Sequence, residues 1–378
     1  MKLLFAADLH LDPLIWKDLP DVRGDAHDSW KQIAAAAVDR KVDAVILGGD
    51  VFDTHPPSES VRCFLEGVWG LKEKGIPILA IQGQHGYDRR LAWSSLDPYV
   101  QDLNASAFVP VPFTAVNAEF RIAGIDNLPP AQLKERLSTL RPEVNVLVVH
   151  QMIKGMVPSF GGREIWNMDP DWVPSHIKLV LAGDYHSPVE ATFRGIKFKY
   201  NGSTVLRKID EPDDKFFHII HDDFSIESVQ LGTRPVKRFL LLKDKLTEDD
   251  SKQLAEELKA RQGGSVVYMK HNSKIPGLED FCKSSNPKLH YIFKTITVRD
   301  EIVVNATASP ADITLRGCLD RLLDREKSPF LYDLICALLD AESPADTIAA
   351  FRQKFLGRWN DVDVQTAEDP KFLPDQES

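Results

Sequence analysis

Short apolar runs alternate with amphipathic stretches along the first half of the chain. Five runs, each about five to seven residues long, are followed directly by polar residues: KLLFAA (2–7), DAVILGG (43–49), IPILAIQ (76–82), VNVLVVH (144–150) and IKLVLAG (177–183). Helical patterns at Asp28–Arg40 and Ser58–Lys74 separate the first three runs. Buried runs of this length that alternate with helices predict an α/β fold.

The pattern changes twice further along the chain. Four hairpin-like pieces between 189 and 231 predict an antiparallel layer that completes a first domain, residues 1–232. Strand and helix patterns then predict a smaller α+β domain at 233–305, with strands in RFLLLK, SVVYMK and KTITV and a helix over Thr247–Arg261. Helices are predicted within 306–360, and the acidic, proline-bearing residues 361–378 are typical of a disordered tail.

The composition of the chain indicates its cellular compartment and the kinds of partner it could bind. Four cysteines are scattered without a CxxC pair, which argues against a zinc knuckle or a disulfide framework and favours a reducing cytoplasm. The apolar stretches are too short to predict a membrane span or a signal peptide. The net charge of −10 argues against a broadly basic nucleic-acid-binding surface. A local basic strip at 194–208 and 234–238 could still follow phosphates, and ordinary solvated side chains are the alternative.

Polar residues follow all five apolar runs at the point where each strand ends. They are Asp8 and His10, Asp50, Gln84 and His85, His150, and Asp184 and His186. In open α/β sheets the carboxyl ends of the strands form the active crevice, so we expect these side chains to converge there. Carboxylate, amide and imidazole ligands without thiolates suit Mn, Fe, Zn or Mg, and the histidines favour the transition metals.

The segments ADLHLD, LGGDVFD, IQGQHGYD, VVH and AGDYH, in this order, resemble the calcineurin-like metallophosphoesterases over about residues 1–230. Three further segments, GDVFDTHPPSES, YNGSTVLRKIDEPDDK and QLGTRPVKRF, resemble the nuclease subunit of SbcCD-type DNA double-strand-break repair complexes. The resemblance implies a β-sandwich flanked by helices in four layers, with a DNA-facing α+β capping domain and C-terminal helices.

The resemblance also implies two divalent metal ions, with Mn favoured and Mg, Fe or Zn as alternatives. By the family's pattern Asp8, His10, Asp50 and His186 hold the first ion. Asp50 then bridges to the second ion, which Gln84, His150 and Asp184 complete. His85 matches the family histidine that is not a ligand, and it is expected to protonate the leaving oxygen or to stabilise the transition state.

Two positions depart from the family's pattern. Gln84 replaces an asparagine and Asp184 replaces a histidine, and both fall on the second ion. Both still offer oxygen ligands, with Asp184 favouring harder ions such as Mn or Mg. Residues 85–88, HGYD, also lack the acidic residue that usually follows the family histidine, so the partner of His85 is left open.

The sequence is compatible with three functions. The first is a Mn-dependent DNA exonuclease and endonuclease that acts on double-strand ends and single strands as a homodimer, with an SbcC-type ATPase subunit gripped by the C-terminal helices. The second is a metallophosphoesterase for a small phosphodiester or a phosphoprotein. The third is a non-catalytic DNA-end-binding scaffold whose second metal site has decayed.

Overall fold

The apolar runs form strands of two six-stranded sheets. In chain order the strands are β1 (Lys2–Ala6), β2 (Ala44–Gly48), β3 (Ile78–Ile81), β4 (Val100–Asp102), β5 (Thr114–Ala115), β6 (Arg121–Ile125), β7 (Val146–His150), β8 (Leu179–Gly183), β9 (Val189–Phe193), β10 (Ile196–Tyr200), β11 (Phe216–His221) and β12 (Ile226–Gln230). The first sheet has the order β12-β11-β1-β2-β3-β4, and the second has the order β5-β6-β7-β8-β10-β9. The computed structural model describes residues 2–11, 22, 24–52, 56–85, 99–103, 114–116, 119–158, 165–209, 211–243, 245–271 and 275–295.

Parallel strands form the centre of each sheet, and antiparallel strands extend it. In the first sheet β1 to β4 are parallel, and β11 pairs antiparallel with β1. In the second sheet β6, β7, β8 and β10 are parallel, while β5 and β9 are antiparallel edge strands. The predicted hairpins are antiparallel, but the prediction that they form one layer is wrong. The hairpins are divided between the two sheets, because each pair of strands buries its apolar residues against a different core.

Alternating side chains along each strand create four layers. Leu3 and Phe5 of β1 lie in the core between the two sheets, whereas Leu4 and Ala6 lie in the outer core with the helices α1 (Asp25–Asp39) and α2 (Ser58–Glu73). The outer face of the second sheet packs against α3 (Pro130–Ser138) in the same way. This arrangement confirms the predicted sandwich of two sheets flanked by helices.

Strand β6 and helix α3 are absent from the sequence prediction, although β6 lies inside the second sheet. Its sequence RIAGI contains Gly124, a residue that weakens a strand pattern. A Cβ at Gly124 would collide with Ile81 and Leu103, so the glycine allows the two sheets to approach closely. Gly124, which weakens the strand pattern in the sequence, is therefore required for close packing of the two sheets.

Later in the chain, β13 (Val236–Leu241), α4 (Glu248–Lys259), β14 (Val266–His271), α5 (Leu278–Ser285) and β15 (His290–Thr295) follow in the predicted order. Their strands form a sheet of order β13-β14-β15. The last strand starts at His290, earlier than the predicted KTITV, because the aromatic and apolar residues of HYIF also favour a strand.

The chain divides into two units, Met1–Phe239 with Lys252–Tyr268 and Asp280–Ile292, and Leu240–Ser251 with Met269–Glu279 and Phe293–Ser378. The domain boundaries at 232 and 305 stay predictions. The helices predicted within 306–360 and the tail at 361–378 lie outside the described residues. In the part of the chain that the structure describes, no helix is both long enough and apolar enough to cross a membrane.

Candidate metal centre

The carboxyl ends of strands from both sheets meet at one place and carry the candidate ligands. The imidazole Nδ1 of His150, the last residue of β7, lies 2.8 Å from the carbonyl oxygen of Gly48 at the end of β2. The backbone N–H of Asp184, which follows β8, lies 3.2 Å from each carboxylate oxygen of Asp8 after β1. The site is therefore built across the two sheets, which a single open sheet could not do.

The backbone at this site is held in an unusual conformation. Four candidate ligands have positive φ angles: Asp8 (55°), His10 (43°), Asp50 (49°) and Asp184 (88°). Such a conformation costs a non-glycine residue roughly 1 to 3 kcal/mol, and it persists where the surroundings enforce it. Hydrogen bonds of 3.1 Å from Asp8 N to Gly49 O and from His10 N to Asp50 O hold the two loops together. Positive φ at four converging polar residues is typical of a functional site.

Two groups of side chains among the described residues could each hold a metal ion. Asp8, His10 and His186 form the first cluster, and Asp8, Asp50 and His150 form the second. In the first cluster both imidazole Nε2 atoms lie 3.8 Å from Asp8 Oδ1. In the second cluster His150 Nε2 lies 3.2 Å from Asp50 Oδ2 and 4.0 Å from Asp8 Oδ1. Asp8 is common to both clusters, whereas the resemblance implied that Asp50 is shared.

The chemistry of these groups fits cations. Asp8, Asp50 and Asp184 are all buried, and so much negative charge away from water is costly without a compensating cation. The buried Nε2 of His150 faces Asp50 Oδ2 at 3.2 Å, while the bond from Nδ1 to Gly48 O fixes the ring. A buried, oriented imidazole nitrogen beside a carboxylate oxygen offers two ligands that suit a divalent transition metal.

The clustered charges perturb the pKa values of the site. Burial, assisted by the charges of Asp50 and Asp184, raises the pKa of Asp8 to about 7. Burial opposes ionisation of Asp50 as well, but the neighbouring His150 and His10 hold the pKa of Asp50 below its usual range. Although burial favours neutral His150, the charge of Asp50 raises the pKa of His150 to about 10. The ion-free site thus holds protons in places where bound cations would compete with them.

Gln84, His85 and Asp184 lie beside the two clusters but in neither of them. Gln84 Nε2 donates a 2.8 Å hydrogen bond to Asp184 Oδ1, which places together the two residues that depart from the family's pattern. The backbone N–H of His85 donates to Asp50 Oδ1 at 3.0 Å. The His85 imidazole is 33% exposed, with Nε2 3.8 Å from Asp50 Oδ2, so it is reachable from outside.

Two residues that the sequence analysis did not assign to the site contact its histidines. Glu211 Oε1 lies 2.7 Å from His186 Nδ1, and the guanidinium Nη1 of Arg207 lies 3.2 Å from His10 Nε2. Both belong to the segment YNGSTVLRKIDEPDDK, which the resemblance already singled out. Although burial raises it, the hydrogen bond from His186 and the charge of Lys215 lower the pKa of Glu211 to about 2.

The four-layer sandwich and its paired clusters of carboxylates and imidazoles define a hydrolase-like α/β protein with a candidate two-ion centre. Residues 1–192 match the family described as calcineurin-like phosphoesterase. The chain belongs to this family, which confirms the recognition made from the strand-end motifs.

Several curated proteins that carry the name DNA double-strand break repair protein Mre11 are similar to this chain. The protein from Sulfurisphaera tokodaii is 27% identical over 219 residues, which cover 56% of this chain and 54% of that protein. The protein from Methanococcus maripaludis is 24% identical over 298 residues, 69% of this chain and 74% of that protein. The protein from Haloferax volcanii is 28% identical over 243 residues, 62% of this chain and 53% of that protein. The chain thus spans about half the length of most of the relatives it matches.

Among solved structures, TT1561 of Thermus thermophilus has a TM-score of 0.39 and 13% identity. That comparison covers 61% of this chain and 98% of the other. A likeness of this size adds nothing to the family assignment.

Proposed function

We propose that this protein is a two-metal phosphodiesterase that cleaves DNA in the repair of double-strand breaks. The observation that carries the proposal is the position of Asp8, whose carboxylate belongs to two adjacent groups of potential metal ligands. A carboxylate shared between two ligand groups is what a pair of closely spaced cations requires. The names of the similar proteins support DNA as the substrate.

Seven side chains are proposed to hold the two ions: Asp8, His10, Asp50, Gln84, His150, Asp184 and His186. Two bound ions supply activation of a water molecule and neutralisation of charge on the phosphoryl oxygens. The protein itself orients the ligands. The bond from His150 Nδ1 to Gly48 O and the bonds from Asp184 N to Asp8 keep the ligands in place before the substrate binds. We favour Mn because the ligands combine imidazole with hard oxygen donors.

His85 is proposed as the proton donor to the leaving sugar oxygen. Its ring stands edge-on to that of His10, with 5.8 Å between the centroids, and its partial exposure makes it accessible to a substrate. Imidazole is the side chain that most readily takes up and releases a proton near neutral pH. Since His85 belongs to neither ligand cluster of the described residues, we assign it this role and not metal binding.

The wider assembly is proposed on the resemblance and on the names of the relatives. We expect a homodimer that acts on double-strand ends and single strands in the cytoplasm, with an SbcC-type ATPase subunit as its partner. The contact with that subunit is assigned to the helices predicted within 306–360. Pull-down of the ATPase with the full chain, but not with a chain ending at 305, is the expected result.

One observation favours a second candidate, the non-catalytic scaffold that binds DNA ends. The amide N–H₂ of Gln84 donates to Asp184 Oδ1, so that only the amide oxygen of Gln84 is left to bind a metal ion. If the same arrangement persists with metal present, one carboxylate oxygen of Asp184 is occupied by Gln84 and the second ion is held more weakly. In this second candidate function the protein holds one ion and binds DNA ends without cleaving them.

Metal counting combined with a nuclease assay on linear duplex DNA separates these candidates. The wild-type protein is expected to bind two Mn²⁺ ions and to digest the DNA only when Mn²⁺ is present. Asp8→Asn is expected to lose both ions and all cleavage, because this carboxylate serves both clusters. Asp28→Asn, a change at an exposed carboxylate of α1, is the matched control and should behave as wild type.

Asp50→Ala tests the bridging role that the resemblance assigns to that residue, and it should abolish activity and most metal uptake. Near-normal turnover in this variant would contradict a shared ligand at Asp50. One bound ion and intact duplex DNA for the wild-type protein would favour the scaffold. Two bound ions without cleavage of DNA, but with hydrolysis of a small phosphodiester, would exclude DNA as the substrate.

A further inference from the structure

A buried carboxylate lies behind one of the proposed metal ligands. Glu211 is 8% exposed, and its Oε1 lies 2.7 Å from Nδ1 of His186. We propose that Glu211 is a positioning residue that fixes the ring of His186 so that Nε2 faces the metal-binding cluster. This inference rests on the proposed metal centre, and it adds a function for a residue outside the seven proposed ligands.

Three donors occupy the other oxygen of the same carboxylate. Oε2 accepts hydrogen bonds from Ser203 Oγ, from the backbone N–H of Arg207 and from Lys215 Nζ, each at 3.0 Å. A carboxylate that receives three donors is held as an acceptor. Its remaining oxygen therefore requires a donor on His186, which places the proton of the neutral imidazole on Nδ1.

The tautomer decides which nitrogen is available to a cation. With the proton on Nδ1, the lone pair of His186 is on Nε2, the atom that lies 3.8 Å from Asp8 Oδ1. Histidines that bind metals commonly donate their other N–H to a carboxylate, which fixes the ring and increases its basicity. The position of Glu211 fulfils this condition at His186, whereas a backbone carbonyl does so at His150.

Lys215 compensates the charge of the buried carboxylate. Its side chain is 2% exposed, and its ammonium group also donates to Ser203 Oγ at 2.8 Å. A buried charge that keeps its partner is tolerated, whereas removal of one partner leaves the other uncompensated. Glu211→Gln alone could therefore unfold the protein through the unpaired lysine, and the test needs a variant that removes both charges.

The experiment measures Mn²⁺ binding by calorimetry in the full chain. Glu211→Gln combined with Lys215→Met removes both charges of the ion pair with little change in volume. Glu227→Gln is the matched control, because Glu227 also contacts a cation and a histidine, Arg40 and His221, neither of which belongs to a cluster. Thermal unfolding shows that each variant is folded.

The double variant is expected to bind one of its two Mn²⁺ ions roughly 10 to 100 times more weakly than wild type, with the other ion unaffected. Glu227→Gln is expected to remain near the wild-type affinity. A folded double variant that binds both ions as tightly as wild type would overturn the proposal, since Glu211 would then be only structural.

A second readout uses the ion-free protein and does not depend on catalysis. Nitrogen NMR of the histidines should show the proton of His186 on Nδ1 in the wild-type protein, and a shift towards the other tautomer in the double variant. A wild-type His186 protonated on Nε2 would overturn the proposal, and so would a failure of the wild-type protein to bind Mn²⁺. Normal uptake of two ions without DNA cleavage would instead overturn only the proposed function.

Discussion

Nη1 of Arg207 lies 3.2 Å from Nε2 of His10, the nitrogen that faces the carboxylate of Asp8. The guanidinium donates to this nitrogen, so that a metal ion and Arg207 compete for one lone pair. Ion uptake must therefore displace the arginine from His10. Arg207→Ala should bind the ion of this cluster more tightly, by a factor on the order of 10 to 100, because a hydrogen bond to a charged group contributes about 1.5 to 3 kcal/mol.

Calorimetry with Mn²⁺ measures this change, and Arg40→Ala is the control because Arg40 pairs with the surface residue Glu227. The backbone bond from Arg207 to Glu211 is kept in the alanine variant. Weaker metal binding by Arg207→Ala would show that the arginine supports the cluster and does not compete with the ion.

His85→Ala should leave two metal ions bound while DNA cleavage falls by a factor on the order of 10² to 10⁴, the usual effect of removing a general acid. The physical reason is that His85 lies next to Asp50 but outside both ligand clusters. Metal analysis and cleavage rates on linear duplex DNA check the two halves of the prediction. His221→Ala, at the end of β11, is the control, and loss of an ion from His85→Ala would make His85 a ligand.

His218 should make the fold sensitive to acid. The side chain is fully buried on β11, and neither ring nitrogen has a hydrogen-bond partner among the described residues. Burial, with the nearby charge of Lys199, lowers the pKa of His218 to about 3. Since the unfolded chain takes up a proton near pH 6.5 and the folded chain does not, stability is full above that pH and declines as the pH falls towards 3.

His218→Leu should remove this part of the acid sensitivity. Between pH 7 and pH 5 the wild-type free energy of unfolding is expected to fall by about 2 kcal/mol more than that of the variant. Urea unfolding at several pH values measures the difference. Parallel pH profiles for the two proteins would mean that His218 is protonated in the folded state.

Tyr200 connects a strand to the loop after β7 through a single hydroxyl. Its OH donates to Gln151 O at 2.6 Å and accepts from the N–H of Ile153 at 2.7 Å, and all three residues are buried. Tyr200→Phe leaves the Ile153 N–H without its partner, so the free energy of unfolding should fall by about 1 to 3 kcal/mol. Chemical denaturation tests this, with Tyr185→Phe as the control at a half-buried ring; equal losses in the two variants would contradict the assignment.

The strands of the first half and the polar residues that follow them could be predicted from the sequence, because alternation of apolar residues is a local property. Three elements show where that reasoning fails. Gly124 weakens the pattern of β6, so that the strand is not predicted. The hairpins β9–β10 and β11–β12 have similar sequence patterns although they join different sheets. Which strands pair depends on the surface each one buries, and that surface is formed by residues distant in the chain.

The same division applies to the candidate site. By itself the sequence determined the family and predicted the seven ligands, since each of these residues lies next to a strand end and carries its own chemistry. Only the tertiary structure decided that Asp8 is the residue common to both clusters, that Glu211 supports His186, and that Arg207 reaches His10 across 197 positions of the chain. Hydrogen bonds between such distant residues depend on how the two sheets stack, and stacking leaves no periodic signal in the sequence.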